Sequence, residues 1–210
     1  MRLPDTQKHL YTISEYLQME RNAAERHEYR DGVIVAMAGG SARHSLICMN
    51  LGGEIRNALK GKPCRAYESN LRVRVPKTPL FTYPDVTVIC GEPQFDESDE
   101  QQETVTNPRL IAEVLSPSTE SYDRGKKFAQ YREIKTLQEF ILVNQDSPEV
   151  ELYMRDTGGD WIIKPHVAGL ESHLKLESLG VSLPLAEIYG GVHFKVSADG
   201  KYNLANDGAI

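Results

Sequence analysis

Glu113 is the residue most in need of a chemical explanation. It stands in Leu110-Ile111-Ala112-Glu113-Val114-Leu115, a run with no other polar side chain. An ionised carboxylate in apolar surroundings is costly unless a cation compensates it, so a metal ion, a lysine or an arginine must lie close by. The plain alternatives are a buried salt bridge or a carboxylate at the exposed end of a sheet. Asp85 offers a second carboxylate. In Tyr83-Pro84-Asp85-Val86 it follows a proline, which has no N–H to give and so fits only the start of a strand. Taken alone, Pro-Asp is a common turn dipeptide. If that strand neighbours 109–115, two carboxylates converge at one end of a sheet, an oxygen-rich pair suited to Mg²⁺ or Mn²⁺. Lys127 offers the cation. Positions 124, 127, 128, 131 and 134 share one side of a helix, so Lys127 borders the apolar stripe while Lys126 lies nearer the polar face. There an ammonium can fix a water or stabilise charge on a phosphate. Its alternative is a surface pair with Asp123, worth roughly 0.2–0.5 kcal/mol.

Positioning these groups requires a particular order of elements. Thr12-Ile-Ser-Glu15 predicts a capping box opening a short helix. Asp31-Gly32 sits where a two-residue hairpin turn belongs, with 33–37 as its second strand. A helix is expected over 43–59, with Ile47, Leu51, Ile55, Ala58 and Leu59 as its buried stripe. Segments 64–69 and 71–76 read as adjacent strands, and Leu71, Val73 and Val75 alternate with Arg72 and Arg74. Strands are expected at 85–90, 109–115, 139–144 and 149–154, with a helix over 120–135 between the second and third. The order describes an α/β (α+β) sandwich with a mixed sheet and helices packed against it. No Gly-rich phosphate loop follows a strand, which removes support for nucleotide-binding folds.

Composition narrows the class. At 210 residues with 40% apolar content the chain suits one domain with an ordinary core. Residues 1–11 read as an arm, 12–194 as the domain, and 195–210, rich in Gly, Asp and Asn, as an unstructured tail. No run is long enough to span a bilayer and no signal peptide is evident. Cys48, Cys64 and Cys90 are odd in number and lack C-x-x-C spacing, so they read as free or buried thiols of a cytoplasmic protein. A net charge of −6 argues against nucleic-acid binding by bulk charge. The acidic excess is concentrated in 92–103, read as a surface loop, whereas 60–77 is basic. Arg72 and Arg74 could track a phosphate backbone, or form the solvent face of a strand.

Three strings carry a resemblance: Tyr83-Pro-Asp85-Val-Thr-Val-Ile, Leu110-Ile-Ala-Glu113-Val-Leu-Ser-Pro-Ser-Thr119, and Asp123-Arg-Gly-Lys-Lys127-Phe-Ala-Gln-Tyr131. With Arg26-His-Glu28-Tyr-Arg-Asp-Gly32, His44 and Glu139-Phe-Ile-Leu-Val143, they resemble the Uma family of restriction-endonuclease-like proteins over most of residues 10–190. The resemblance implies membership of the PD-(D/E)XK nuclease superfamily, a mixed sheet flanked by helices, and Mg²⁺-dependent hydrolysis of DNA phosphodiesters. It makes Asp85 and Glu113 metal ligands and places His44 near the site. It also brings in Glu28 as a further catalytic acid that completes the metal site or its outer shell, the alternative being a solvated hairpin residue. The usual lysine two residues after the glutamate is absent, because that position is Leu115; the family takes its lysine from the next helix, which selects Lys127 over Lys126. By analogy with nucleases that cut duplexes as symmetric pairs, a homodimer is expected. The competing reading is a non-catalytic nucleic-acid-binding or interaction module that keeps the fold.

Overall fold

The computed structural model describes residues 9–37, 39–197 and 202–204. Helix α1 (Ile13–Arg21) opens on the expected capping box: the Glu15 N–H donates to Thr12 Oγ1 at 3.2 Å, and the Thr12 N–H donates to the Glu15 carboxylate at 2.7 Å. Strands β1 (His27–Arg30) and β2 (Val33–Ala36) form an antiparallel hairpin. Its turn needs positive φ at both central residues, and Asp31 and Gly32 adopt 49° and 81°. Helix α2 (Ala42–Ala58) buries Ile47, Leu51 and Ile55.

The middle of the chain supplies β3 (Cys64–Glu68), β4 (Arg72–Val75), β5 (Leu80–Thr82), β6 (Val86–Cys90), β7 (Thr104–Val105) and β8 (Leu110–Leu115). A crossover follows, made of α3 (Glu120–Tyr122), a π-helical turn (Asp123–Lys127) and α4 (Phe128–Tyr131). It leads to β9 (Glu139–Asn144), β10 (Glu149–Arg155), β11 (Trp161–Ile163) and β12 (Val167–Ala168). The hairpin β13 (His173–Leu176) and β14 (Val181–Pro184), the short α5 (Leu185–Ile188), and β15 (Phe194–Val196) paired with β16 (Tyr202–Leu204) complete the described residues. Part of the expected C-terminal tail is therefore paired strand; its remainder, like residues 1–8 of the arm, lies outside the described residues.

Two main sheets replace the single one expected. The larger runs β11-β10-β9-β8-β6-β3 with β12 beside β10, and the smaller runs β2-β1-β5-β4-β7. Both are mixed, through the parallel pairs β8–β9 and β4–β7. Strands β3 and β4 are not neighbours. The chain turns between them, Leu71 N–H donating to Glu68 O at 3.1 Å, and passes from one sheet to the other. Alternation says which residues face a core, not which sheet a strand joins. β8 is central and all six of its residues are buried, Glu113 included.

The larger sheet has apolar clusters on both faces. Ala112 and Val114 of β8 lie with Ile47, Leu51 and Ile55 of α2 and with the β13–β14 hairpin. Ile111 and Leu115 lie with Tyr131, Ile134 and Leu137 after the crossover, and with Val73, Val75 and Leu80 of the smaller sheet. Tyr16 and Leu17 of α1 cover the smaller sheet with Tyr29 and Phe81. No helix among the described residues is long and apolar enough to cross a membrane.

The expectation of three unpaired thiols is corrected. Cys64 and Cys90 face one another in the β3–β6 register, with Cα atoms 3.9 Å apart, and form a disulfide; Cys48 is free. Parity and short-range spacing carry no information about a pairing made across two strands. The argument from free thiols to a reducing compartment falls with it.

Candidate active site

Asp85, Glu113 and Lys127 come together where β6 begins and β8 ends. β6 and β8 are antiparallel with Val86 opposite Ala112, so one further step of the register sets Asp85 opposite Glu113. The Glu113 side chain lies on the face covered by the crossover, where Lys127 Nζ is 2.7 Å from Oε1 and the Tyr131 hydroxyl donates to the same oxygen at 2.8 Å. Asp85 is anchored by β8 itself, its Oδ2 accepting from the Val114 N–H at 2.7 Å. From the other face α2 contributes His44, whose Nε2 lies 3.1 Å from the Val114 carbonyl and 3.5 Å from Asp85 Oδ2.

The crossover that carries Lys127 to Glu113 is not a plain α-helix. Across the π-helical turn and α4, Asp123, Lys127 and Tyr131 are the buried positions, whereas Arg124 turns outward to Glu120 and Glu151. Lys126 is exposed. Such single π turns interrupt helices frequently at functional sites.

One ammonium serves three carboxylates. Lys127 Nζ lies 2.7 Å from Glu113, 3.3 Å from Glu28 and 3.5 Å from Asp123, and all four side chains are buried. The Asp123–Lys127 pair exists, but in the interior and not on the surface. Glu28 is likewise no solvated hairpin residue: Thr82 Oγ1 and Arg30 also donate to it.

This unequal sharing sets the ionisation states. Burial alone would raise Glu28, but Lys127 and Arg30 outweigh it and hold the carboxyl below its usual range. Among the described residues Glu113 has no second cation partner. Burial pushes it up to about 8; Lys127 opposes the shift, while Asp85 and Asp123 add to it. Burial likewise raises Asp123, Lys127 offsetting only part. Burial would lower Lys127, but the surrounding anions lift it well above its ordinary value, so it stays charged. The Asp85 carboxylate beside His44 raises the imidazole. Burial and the same carboxylate raise the Cys48 thiol, which is therefore protonated at neutral pH and no nucleophile.

A divalent cation fits these residues. Among the described residues, the permanent cations paired with this acid cluster are Lys127, beside Glu28, Glu113 and Asp123, and Arg30, beside Glu28. Hard carboxylate oxygens are the donors that Mg²⁺ and Mn²⁺ prefer.

The two arginines expected to track nucleic acid do not line this site. Arg72 is buried, with Asp99 Oδ2 at 2.9 Å, Thr104 Oγ1 at 2.6 Å and Tyr83 Oη at 3.1 Å consuming its donors. Arg74 pairs with Asp96 at 3.2 Å and lies over the Phe81 ring. The acidic stretch 92–103 is correspondingly not a freely solvated loop, because Asp96 and Asp99 fold back onto this basic strand. Opposite charge in the two segments was visible in the sequence; their mutual neutralisation was not. The sequence reading also passed over Asp123, Tyr131, Arg30 and Thr82 as members of the acid cluster, and over Cys48. The i, i+4 spacing of Asp123, Lys127 and Tyr131, and of His44 and Cys48, was the available signal.

The fold is nuclease-like and α+β, as known proteins bear out. A crystal structure described as "a putative nuclease belonging to DUF820" from Anabaena variabilis superposes with a TM-score of 0.68 at 19% identity, covering 85% of this chain and 97% of that one. The chain belongs to the Uma2 family, described as "Putative restriction endonuclease", whose model matches residues 13–186. Two relatives from Synechocystis sp. are the uncharacterized proteins slr1290 and sll1609. The first is 42% identical over 180 residues, covering 86% of this chain and 92% of the relative. The second is 38% identical over 154 residues, covering 73% and 86%.

Proposed function

We propose that the protein is a divalent-metal-dependent endonuclease that hydrolyses DNA phosphodiester bonds, with Asp85 and Glu113 as metal ligands and Lys127 as the charge stabiliser. The observation that carries this reading is the 2.7 Å contact between Lys127 Nζ and Glu113 Oε1, made from a helix in place of the strand position occupied by Leu115. Lys127 and Tyr131 both reach Oε1, which leaves Oε2 of Glu113 to a ligand. Bound Mg²⁺ or Mn²⁺ would supply Lewis acidity toward the phosphate and a more acidic water. The protein's own groups do the rest. The Val114 N–H fixes Asp85, Tyr131 fixes Glu113, and Glu28 and Asp123 hold Lys127 charged and in place beside the reacting phosphate. His44, tied to the Val114 carbonyl, positions Asp85. By analogy with nucleases that cut duplexes as symmetric pairs, the reading includes a homodimer.

Nicking of supercoiled plasmid in Mg²⁺ or Mn²⁺ tests this. The wild type should cut, and Asp85→Ala and Glu113→Ala should each lower the rate by about 100-fold or more. Equal cutting by all three would mean that the activity belongs elsewhere. No cutting, with DNA binding retained, would favour the non-catalytic module.

A further inference from the structure

Cys48 takes no part in the cleavage proposed above, yet it faces the same carboxylate. It stands four residues after His44 in α2, so both side chains leave one face of the helix. Its Sγ lies 3.5 Å from His44 Nδ1, and one nitrogen of His44, the Cys48 sulfur and one oxygen of Asp85 all lie within 4.8 Å of one another. Small shifts bring such donors to the roughly 2.0–2.3 Å bonds of a zinc-type ion.

The donors are also oriented. A carbonyl only accepts, so the 3.1 Å contact with Val114 O puts the proton of a neutral His44 on Nε2. The lone pair is then on Nδ1, the nitrogen beside Cys48. Metal-binding imidazoles are commonly fixed this way, with the far N–H donated to a backbone carbonyl. Val114 thus holds two of the three residues, its N–H anchoring Asp85 and its carbonyl anchoring His44. Gly40 keeps the Nδ1 edge open, because a Cβ there would stand 2.7 Å from Nδ1.

We propose that His44, Cys48 and Asp85 form a site for a thiophilic divalent ion of the zinc class, which competes for Asp85 and thereby inhibits Mg²⁺-dependent cleavage. A nitrogen–sulfur–oxygen set selects zinc or cobalt, because thiolate is a poor ligand for Mg²⁺. Binding displaces the thiol proton, and the Nδ1 proton of the imidazolium form of His44, to solvent. The inhibition rests on the nuclease reading; the binding does not.

Cobalt(II) added to the full-length protein serves as the probe, read by the near-ultraviolet thiolate-to-cobalt absorption. The band should saturate at one equivalent and vanish in Cys48→Ser, Cys48 being the free thiol among the described residues. Gly40→Ala, which crowds the imidazole without removing a ligand, should weaken binding by about tenfold or more. Absence of the band, or its persistence in Cys48→Ser, overturns the site. In the nicking assay the zinc concentration giving half-inhibition should rise by about tenfold or more in Cys48→Ser. Equal inhibition of wild type and variant overturns the competition. If Mg²⁺ supports no cleavage at all, the nuclease reading fails and the cobalt titration still decides the site. Cleavage without a Cys48-dependent band sinks this inference alone.

Discussion

Glu113 and Lys127 divide a problem that neither solves alone. A carboxylate buried in a central strand needs a cation, and the cation it finds already serves Glu28 and Asp123. The imbalance has a consequence for stability in the metal-free protein. Glu113 keeps its proton up to about pH 8 when folded, against 4.5 for an unconstrained glutamate. Between those values the folded state binds more protons than the unfolded chain, so this contribution is fully present below about 4.5 and is lost as pH rises through about 8. Urea unfolding in chelator at pH 6, 7, 8 and 9 should show a steeper decline for wild type than for Glu113→Gln. Parallel declines would show that Glu113 titrates normally. At this scale the sequence was informative, since a single charge in an apolar strand states its own need. It could not say how many other acids share the lysine, because Glu28 and Asp123 arrive from other segments of the chain.

The crossover between β8 and β9 decides whether the lysine can reach the strand at all. α-helical spacing predicted a shared face for 124, 127, 128, 131 and 134; across the π-helical turn and α4 the buried positions are instead 123, 127 and 131, and Arg124 turns outward. Lys127 was legible because it belongs to both sets. Tyr131 was legible as core but not as a donor to Glu113. If the helix substitutes for the usual strand lysine, the substitution should be reversible. Leu115 is two residues after Glu113 on the same buried face. Leu115→Lys in a Lys127→Met background should recover cleavage by about tenfold over Lys127→Met alone, with some loss of stability from burying a second ammonium. No recovery by a folded double variant would mean that Lys127 acts through the helix geometry and not through its charge.

Across the whole molecule, charge is spent internally. The basic strand β4 and the acidic segment after β6 looked like two opposed surfaces, one of them free to meet a phosphate backbone. Arg72 and Asp99 are in fact a buried pair. Arg72→Ala should therefore cost roughly 3–5 kcal/mol in urea unfolding, while leaving the salt dependence of DNA binding unchanged. A near-neutral effect on stability with a shallower salt dependence would return Arg72 to the surface role. Membership of the two sheets and the Cys64–Cys90 pairing were illegible for one reason: both depend on which distant strands meet, and local alternation is silent on that. Replacing both cysteines with serine should remove about 3.5 kcal/mol of stability, as expected for a loop closed over a separation of 26 residues. Fold class, by contrast, was readable from the order of helices and strands and from the strings around Asp85, Glu113 and Lys127.

The claim on which the account turns is that a helix-borne lysine completes the site. Plasmid nicking by Lys127→Met and by Lys126→Met, at matched protein and Mn²⁺ concentrations, tests it most directly. The account predicts that Lys126→Met cuts at the wild-type rate and that folded Lys127→Met loses about 100-fold or more. Wild-type cutting by Lys127→Met, or a comparable loss in Lys126→Met, would contradict it.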